Sequence, residues 1–330
     1  MVSVIRSMSL AIIALATCWS IRDSQAFVPT SSSSASLSPF RRRPTATNGR
    51  PLPQQQEHPL QAQRQIAEFD TSDFSLPTGE WPYSDSDFSR IDPSVDTRFY
   101  DTPRFVTHID DRAIGALTAF YTEEMTALAK QNGDKKGGLD VLDLCSSWIS
   151  HLPQDDKRVP YGNVVGIGMN EEELKANPQL TNYYVQDLNI NPKLDQFDDN
   201  SFDVICNVVS VDYLTKPREI FQEMHRVLRP DGICLMSFSN RCFPTKAINM
   251  WLQQDDIGRM TIVASYFHYS AQWKSIEALD IIPPPVAAPV APSMGDVFSN
   301  PAKGFAWMTA AAAAQKSNSG DPMYVVKAIK

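Results

Sequence analysis

The feature that most constrains the fold of this 330-residue chain is a series of short apolar runs separated by helix-forming segments. Short runs rich in Val, Ile and Leu are typical of buried strands, and apolar residues spaced three to four apart are typical of helices. The alternation predicts an α/β fold with a Rossmann-like, doubly wound and mostly parallel sheet of seven strands. Strands are predicted at 139–144 (LDVLDL), 163–168, 183–186, 202–209 (FDVICNVV), 233–239, 276–282 and 323–329. Helices are predicted at 112–130, 170–175, 216–228, 245–254 and 256–267.

Two stretches of the C-terminal half interrupt this pattern. Residues 229–232 (RPDG) form a turn signal between a helix and the fifth strand. Residues 283–320 are rich in Pro and Ala, and we interpret them as a surface insertion that is most simply a flexible loop.

Doubly wound sheets bind their ligands beyond the carboxyl ends of the strands, at the point where the strand order reverses. We therefore expect the informative residues in the segments that end or follow the first four predicted strands. These segments are 143–148, 166–170, 186–188 and 207–212.

Charge is distributed unevenly along the chain. Residues 1–50 hold six Arg and a single acid, Asp23, which leaves 24 basic and 37 acidic residues in the remainder. An acidic body argues against nucleic-acid binding, because such binding depends on clustered Lys and Arg that neutralise phosphates. The composition, with 42% hydrophobic and 21% charged residues, is that of a globular protein and excludes a multi-span membrane protein.

The basic head has the composition of a targeting leader. An apolar run at 8–19 precedes the small-residue site Ser24-Gln25-Ala26, so we predict a signal peptide at 1–26 and no stable membrane insertion after processing. Residues 27–56 contain no acid but many Ser and three consecutive Arg, which is typical of a transit peptide. We assign 27–62 to a transit peptide and linker.

The junction between the signal peptide and the transit peptide indicates the cellular location of the protein. Ala26-Phe27-Val28-Pro29 fits the Ala-Phe-x-Pro junction and resembles the bipartite plastid leader of diatoms and related algae. This resemblance implies import into the chloroplast stroma, and secretion is the alternative. Four of the five Cys lie outside the leader without close pairing, which favours buried thiols in a reducing compartment.

Three motifs of the body resemble one enzyme family. Residues 199–205 (DNSFDVI) lead into the fourth strand, 223–232 (EMHRVLRPDG) precede the fifth, and 321–326 (DPMYVV) begin the last. Together they resemble a class I S-adenosylmethionine-dependent methyltransferase of the type 11 group. The resemblance implies an antiparallel last strand, S-adenosylmethionine as cofactor, and methyl transfer to a small-molecule acceptor. It covers 139–282 and 321–330, so we divide the body into an N-terminal cap segment with a helix at 63–135 and a methyltransferase-like domain at 136–330.

The resemblance also implies which residues contact the cofactor, at the carboxyl ends of the first four strands. Ser146 and Ser147 are equally well explained as caps of a following helix. The implied cofactor-binding residues are Asp143, Cys145, Ser146, Ser147, Gly166, Asn170, Asp187, Leu188 and Asn207.

The chain departs from the family at two points. The family's first strand ends in acid-x-Gly-x-Gly-x-Gly, whereas Cys145, Ser147 and Ile149 stand at the glycine positions here. The family's second strand ends in an acid that holds the ribose hydroxyls, whereas Gly168 stands at that position and Asn170 is the nearest amide.

The catalytic residues are not identified by any motif. Asp212 and Tyr213, after the fourth strand, and His151 are weak candidates, and a structural role is the alternative for each. No spacing of His, Cys and carboxylates indicates a metal site.

Two other functions stay open. The loss of the glycines and of the ribose acid is compatible with a non-catalytic binding protein of the same fold. A nicotinamide-dependent oxidoreductase would use Gly166-Ile167-Gly168 and Asp187, but Glu171 to Glu173 would place negative charge where a pyrophosphate must bind. The oligomeric state is not indicated by the sequence.

Overall fold

The computed structural model of the protein describes residues 64–133, 137–154 and 157–330. The leader predictions for 1–62 therefore lie outside the described residues. The described part contains one sheet of eight strands. The strands are β1 (Arg64–Phe69), β2 (Leu139–Leu144), β3 (Tyr161–Gly168), β4 (Asn182–Val185), β5 (Phe202–Val208), β6 (Leu228–Phe238), β7 (Ser275–Asp280) and β8 (Tyr324–Ile329).

The strand order across the sheet is β1-β7-β8-β6-β5-β2-β3-β4. Strands β2 to β6 pair in parallel, β8 runs antiparallel between β6 and β7, and β1 is antiparallel to β7. The order reverses between β2 and β5, because the chain winds from β2 towards β3 and β4 and then returns to add β5 and β6. This confirms the expected fold class, including the antiparallel last strand.

Helices pack on both faces of the sheet. The helices are α1 (Asp96–Phe99), α2 (Asp111–Gln131), α3 (Glu171–Ala176), α4 (Pro217–Val227), α5 (Asn249–Leu252), α6 (Asp256–Ser270), α7 (Met294–Ser299) and α8 (Pro301–Asn318). One core joins α4 and α6 to the sheet and includes Ile205, while the other joins α2 to the opposite face and includes Val204 and Cys206. Successive residues of β5 thus enter different cores, as the two-residue period of a strand requires.

Strand β1 was not predicted, because its sequence, RQIAEF, has a short and partly polar pattern. It adds an eighth strand at the edge, beside β7, where Arg64 forms an exposed ion pair with Asp280 at 2.9 Å.

The prediction of a turn at 229–232 is wrong, because these residues form an irregular part of β6. Asp231 adopts a left-handed φ of 63° and its N–H donates to the Lys330 carbonyl at 3.1 Å. The carbonyl of Gly232 accepts from the N–H of Lys330 at 3.1 Å, so pairing with the end of the chain continues through the irregularity.

The helix expected at 245–254 shrinks to α5, Asn249–Leu252. The N–H of Asn249 donates to the Ser89 carbonyl at 2.7 Å, and Ile248 forms a bridge with Arg90. Backbone groups that would extend the helix are therefore paired with the N-terminal segment instead.

The prediction of a flexible loop at 283–320 is also wrong, because most of this stretch folds into α7 and α8. The Asn300 side chain accepts from Ala302 N–H, and Pro301 occupies the first turn of α8, where its missing N–H costs nothing. Most of the prolines precede the two helices, and the Ala-rich run has the highest intrinsic helix propensity. Among the described residues, no helix is long and apolar enough to cross a membrane.

Candidate functional site

The carboxyl ends of β2, β3 and β5 meet where the strand order reverses. Leu144 is paired with Ile167 of β3 on one side and with Asn207 of β5 on the other. The segments that leave these strands therefore lie together, as expected from the sequence, and we name this region the carboxyl-edge site.

The segment after β2 turns at once instead of starting a helix. Cys145 takes a left-handed φ of 57°, and the N–H of Ser146 donates to the Ile167 carbonyl at 2.7 Å. In the described residues between Leu144 and Tyr161 there is no helix, so Ser146 and Ser147 cap none.

The same loop explains why glycine stands at the end of β3. A Cβ placed on Gly168 would collide with the backbone carbonyl of Ser146, and one on Gly166 would meet Leu180 at 2.6 Å and the Ser146 hydroxyl at 3.1 Å. The loop after β2 thus packs directly on β3, and an acid at position 168 has no room.

We expect Gly168→Ala to destabilise the fold by about 1–3 kcal/mol, because the collision is with backbone and cannot be relieved by a side-chain rotation. Gly115→Ala is the matched control. A Cβ at Gly115 meets nothing within 4 Å, so this change within α2 stabilises by about 0.5–1 kcal/mol. Urea unfolding of both variants is the measurement, and equal midpoints would contradict the close packing of this loop.

Asp143 lies at the end of β2 and is buried among the chain's own donors. The Ser146 hydroxyl donates to its Oδ2 at 2.6 Å, and the Cys206 thiol lies 3.7 Å from its Oδ1. Burial raises the pKa of Asp143 to about 6, and these donors oppose the rise. The Asp143 carboxyl group therefore holds the loop after β2 in place through its hydrogen bond with Ser146.

Asn170 lies at the end of β3 as expected, but its side chain already has partners. Its Oδ1 caps α3 by accepting from Glu172 and Glu173 N–H, and its Nδ2 donates to the carbonyls of Tyr100 and Asp101 at 2.9 and 3.1 Å. The N-terminal segment thus lies over the position that the resemblance assigns to a ribose.

Glu173 is a site residue that the sequence did not indicate. Its carboxylate accepts from the Ser147 hydroxyl at 2.5 Å and from the Arg104 backbone N–H at 2.6 Å. It therefore ties the loop after β2 to the N-terminal segment. Its position in the first turn of a capped helix was visible in the sequence, but its partners are far away in the chain.

The loop after β4 carries Asp187 and Leu188. Asp187 accepts from the N–H groups of Asn189 and Ile190 through Oδ1, and Leu188 is buried. Asn189, which the sequence did not indicate, donates to the Asp96 carboxylate at 2.8 Å and to the Tyr213 carbonyl at 2.9 Å. This amide therefore connects the loop after β4 to the segment after β5 and to the N-terminal segment.

Asn207 and Asp212 lie at and beyond the end of β5, and both are buried. Asn207 Nδ2 donates to the Leu144 carbonyl at 3.0 Å, whereas its Oδ1 has no hydrogen-bond partner. Asp212 Oδ2 also has none. Burial raises the pKa of Asp212 to about 8, so this carboxyl group holds a proton at neutral pH.

The other two catalytic candidates have structural contacts. The Tyr213 hydroxyl accepts from Phe243 N–H at 2.8 Å, and burial raises its pKa. His151 has a left-handed φ of 55°, its carbonyl accepts from Thr118 of α2, and burial lowers its pKa to about 4.

The N-terminal segment from Arg90 to Arg104, which we name the cap strap, crosses the carboxyl-edge site. A buried charge cluster fixes it: Arg90 Nη1 donates to both oxygens of Asp96 at 2.8 Å, and Lys246 Nζ lies 3.3 Å from Asp96 and 3.0 Å from Asp92. Lys246, Arg90 and Asp96 are buried, with 1%, 9% and 6% of their side chains exposed, whereas Asp92 is 37% exposed at the rim of the cluster.

The cap strap brings aromatic rings over the site. The Arg104 guanidinium lies 4.5 Å from the Phe99 ring centroid and 5.8 Å from those of Tyr100 and Phe243, and its Nη1 has no hydrogen-bond partner. Burial raises the pKa of Tyr100, and nearby Cys145 and Asp212 add to the rise. Arg104 Nη1, Asn207 Oδ1 and Asp212 Oδ2 are thus three buried polar atoms of the described residues without a hydrogen-bond partner, and such atoms favour a ligand that supplies one.

A groove of about 420 Å³ lies elsewhere, among the loop at 152–154 and the starts of β3 and β4. Its polar side chains are neutral, and the Gln179 amide and Tyr161 hydroxyl already donate to carbonyls of that loop. The described residues contain no group of three or more His, Cys, Asp and Glu that could hold a metal ion.

Comparison with known proteins supports the family resemblance. Residues 150–236 match the sequence model of a family described as a methyltransferase domain. This stretch runs from the loop after β2 into β6 and includes Asn170, Asp187, Asn207 and Asp212. It supports a class I S-adenosylmethionine-dependent methyltransferase domain that binds S-adenosylmethionine. A comparison with curated proteins gave no match.

Solved structures similar to this chain include an S-adenosylmethionine-dependent methyltransferase from Archaeoglobus fulgidus, at 12% identity and a TM-score of 0.37, covering 63% of this chain and 94% of that one. The plantazolicin methyltransferase BpumL in complex with S-adenosylhomocysteine is 15% identical, with a TM-score of 0.41 and coverage of 67% and 85%. A putative sarcosine dimethylglycine methyltransferase from Galdieria sulphuraria is 13% identical, with a TM-score of 0.35 and coverage of 64% and 86%. These similarities are distant, and the fold assignment rests on the strand order of this protein.

Proposed function

We propose that the protein binds S-adenosylmethionine at the carboxyl-edge site and transfers its methyl group to a small-molecule acceptor. The observation that carries the proposal is the pair of buried, unpartnered oxygens of Asn207 and Asp212 at the reversal of the strand order. Orphaned polar groups in a dry site favour a ligand that supplies their missing partners. The matched methyltransferase-domain segment includes both residues.

The residues present fit this cofactor, with one rearrangement. Asn207 and the loop at Cys145 would hold its amino-acid part, and Asp187 would face the adenine. Asn170 becomes available to a ribose only when the carbonyls of Tyr100 and Asp101 leave its Nδ2. Binding therefore requires the cap strap to shift.

The reaction requires little general acid or base catalysis from the protein. The bound sulfonium supplies an activated methyl group. The chain's own part is to orient the acceptor, to exclude water with the rings of Phe99, Tyr100 and Phe243, and to take up the acceptor's proton. Asp212 is the residue that we assign to the proton, because its Oδ2 is free, and with a pKa of about 8 its ionised fraction, which grows as the pH rises towards 8, is the form that accepts a proton.

The location is a second part of the proposal. The leader composition and the Ala26-Phe27 junction support import into the plastid stroma. Fusing residues 1–62 to a fluorescent protein in a diatom tests this, and fluorescence in the medium instead of the plastid would favour secretion.

A non-catalytic binding protein is the second candidate function. It is favoured by the loop contacts of Asp143, by the Ser147–Glu173 hydrogen bond, and by the engagement of Asn170 with the cap strap. An oxidoreductase has no such support, because antiparallel β8 and the methyltransferase-domain match both point elsewhere.

An assay of methyl transfer from labelled cofactor distinguishes the methyltransferase from the non-catalytic binding protein. The full chain is incubated with methyl-labelled S-adenosylmethionine and a small-molecule extract of algal plastids. We expect labelled product with the wild-type chain and about 100-fold less with Asp212→Asn. Asp195→Asn, an exposed control, keeps wild-type transfer. Cofactor binding without transfer to any fraction would favour the non-catalytic candidate.

A further inference from the structure

The side chain of Arg104, at the end of the cap strap, carries a charge that the proposed function does not use. Its Nη2 donates to the Phe99 carbonyl at 2.7 Å, whereas its Nη1 is buried and has no hydrogen-bond partner among the described residues. Two neighbouring cations, Arg90 and Lys246, are both paired with Asp96. A guanidinium keeps its charge at any working pH, so Arg104 favours an anionic ligand.

The Glu173 carboxylate contacts the backbone of Arg104 and not its guanidinium. One carboxylate oxygen accepts from the Arg104 backbone N–H at 2.6 Å, and the other accepts from the Ser147 hydroxyl at 2.5 Å. Both oxygens of Glu173 therefore already hold the cap strap to the loop after β2. The Nη1 atom of Arg104 gains no partner from this contact.

The surroundings of the Arg104 guanidinium are aromatic. Its Cζ lies 4.5 Å from the ring centroid of Phe99 and 5.8 Å from those of Tyr100 and Phe243. These three side chains and Arg104 are half-buried, so a small molecule can reach them. Aromatic rings prefer to stack on, or to meet edge to face with, other flat rings. The ligand that fits therefore has an aromatic body beside its negative charge.

The charges around Arg104 fit a ligand with a single negative charge. The His108 ring lies 5.6 Å from that of Phe243, and burial lowers its pKa, so it is uncharged at neutral pH. Arg104 is then matched by one negative charge, and the adjoining Glu173 carboxylate opposes a second. A carboxylate carries one charge, whereas a phosphate monoester carries about −1.5 to −2 at pH 7. A carboxylate is therefore the better match.

The guanidinium lies beside the segment that carries Asp212. The Phe243 ring centroid lies 6.2 Å from that of Tyr213, and the Phe243 N–H donates to the Tyr213 hydroxyl at 2.8 Å. Tyr213 directly follows Asp212 in the chain. Tyr100, which neighbours Arg104, has a pKa that burial raises and that nearby Asp212 raises further. A small molecule held by Arg104 at one end can therefore extend towards Asp212.

We propose that Arg104 binds a carboxylate of the methyl acceptor, and that the acceptor is an aromatic acid that also carries a hydroxyl or an amine. Calling this ligand the acceptor rests on the proposed function. Nη1 and the second N–H of Nη2 form the fork that matches the two oxygens of a carboxylate. The carboxylate thereby supplies the partner that Nη1 lacks.

The proton that we assign to Asp212 decides which group of the acceptor is methylated. An ionised carboxylate has no proton to release, so it is the anchor and the hydroxyl or amine is the nucleophile. A lone pair of that oxygen or nitrogen forms the new bond to the methyl carbon. The bond from sulfur to methyl breaks with its electron pair left on sulfur, and the acceptor's proton passes to the ionised Asp212 carboxylate.

Fluorine NMR titration of the full chain tests the assignment of Arg104 as a ratio of two affinities. The probes are 4-fluorophenylacetate and its uncharged amide, 4-fluorophenylacetamide, each with and without S-adenosylhomocysteine. We expect the wild-type chain to bind the acid about tenfold more tightly than the amide, because charge-assisted hydrogen bonds are the stronger kind. Arg104→Gln should bring the two affinities to within about twofold. Arg104→Lys should keep part of the preference, since it retains the charge but not the fork.

Arg218→Gln is the matched control for the loss of a guanidinium. Arg218 also lies against a ring, 5.8 Å from the centroid of Trp81, and its Nη2 donates to the Gly79 carbonyl at 2.6 Å. It lies in the first turn of α4, outside the carboxyl-edge site, so its replacement should leave the preference for the acid unchanged. Thermal unfolding checks that each variant is folded.

Several results would overturn the carboxylate assignment. They are the absence of probe binding in both conditions, equal binding of acid and amide by the wild-type chain, and an unchanged ratio in Arg104→Gln, which would make Arg104 a structural contact. Tighter binding of 4-fluorophenyl phosphate than of the acid would assign the anion to a phosphate instead. An acid preference that depends on Arg104 in a chain that binds no S-adenosylhomocysteine would support the carboxylate site and contradict the proposed function alone.

Discussion

Replacing Asp96 by Ala is expected to lower the free energy of unfolding by about 3–5 kcal/mol, because it removes one partner from a buried charge cluster. Asp96 is 5% exposed and accepts from Arg90, Asn189 and Lys246. Its loss leaves two cations buried with a single acid, Asp92, and the cost of an uncompensated buried charge exceeds that of a lost surface contact. Urea unfolding measures the effect, and we expect faster cleavage of the cap strap by trypsin alongside it.

Lys274→Ala is the matched control for that change. Lys274 forms a 2.6 Å ion pair with Asp231, but both side chains are 55% exposed, so its loss should cost less than about 1 kcal/mol. If Asp96→Ala does not yield folded protein, Asp96→Asn keeps the shape and one acceptor oxygen but removes the charge and the second acceptor. Equal effects of the Asp96 and Lys274 variants would show that the charge cluster does not hold the cap strap.

Replacing Asp212 by Asn is expected to stabilise the protein in a pH-dependent way. The folded-state pKa of Asp212 is raised to about 8, against about 3.9 for an unperturbed Asp. Between these values the unfolded chain releases the proton while the folded chain keeps it, so wild-type stability falls as the pH rises through that window. Asn does not titrate, so the variant escapes this loss.

The difference between Asp212→Asn and wild type should therefore be small near pH 4 and reach on the order of 5 kcal/mol near pH 8. Denaturant unfolding across this range measures it. The exposed control Asp195→Asn should track wild type at each pH. Parallel curves for Asp212→Asn and wild type would mean that the carboxyl group is not kept protonated by burial. The expected loss of transfer with a gain in stability is the usual trade-off at a functional site.

The elements that the sequence predicted well are those whose signal is local. Strand β2 has the predicted bounds, and β5 and α3 differ from them by one residue, because continuous apolar runs and an Asn cap mark their ends. Helix α8 was not predicted because Pro and Ala occur in the same stretch of the sequence. Pro cannot continue a helix, whereas Ala favours one, so the two residue types give opposite signals.

The candidate site was predictable in place but not in its contacts. Asp143, Asn170, Asn207 and Asp212 lie at the carboxyl ends of their strands, which follows from topology alone. The partners of Asn170 lie about seventy residues away, and Lys246 meets Asp96 across a still longer separation. Such pairs leave no periodic trace in the sequence, so the cap strap and its charge cluster could be found only in the fold. The roles of Asp143, Asn170, Asn207 and Asp212 in cofactor binding stay predictions.

The central claim is that the carboxyl-edge site binds S-adenosylmethionine, and calorimetric titration of the full chain tests it most directly. With S-adenosylmethionine or S-adenosylhomocysteine we expect one site per chain, and unfolding stabilised by about 2.7 kcal/mol at a hundredfold excess over the Kd. Asp187→Asn should weaken binding about tenfold, whereas the exposed control Asp198→Asn should not. Absence of heat and of any shift in unfolding with both ligands would contradict the claim.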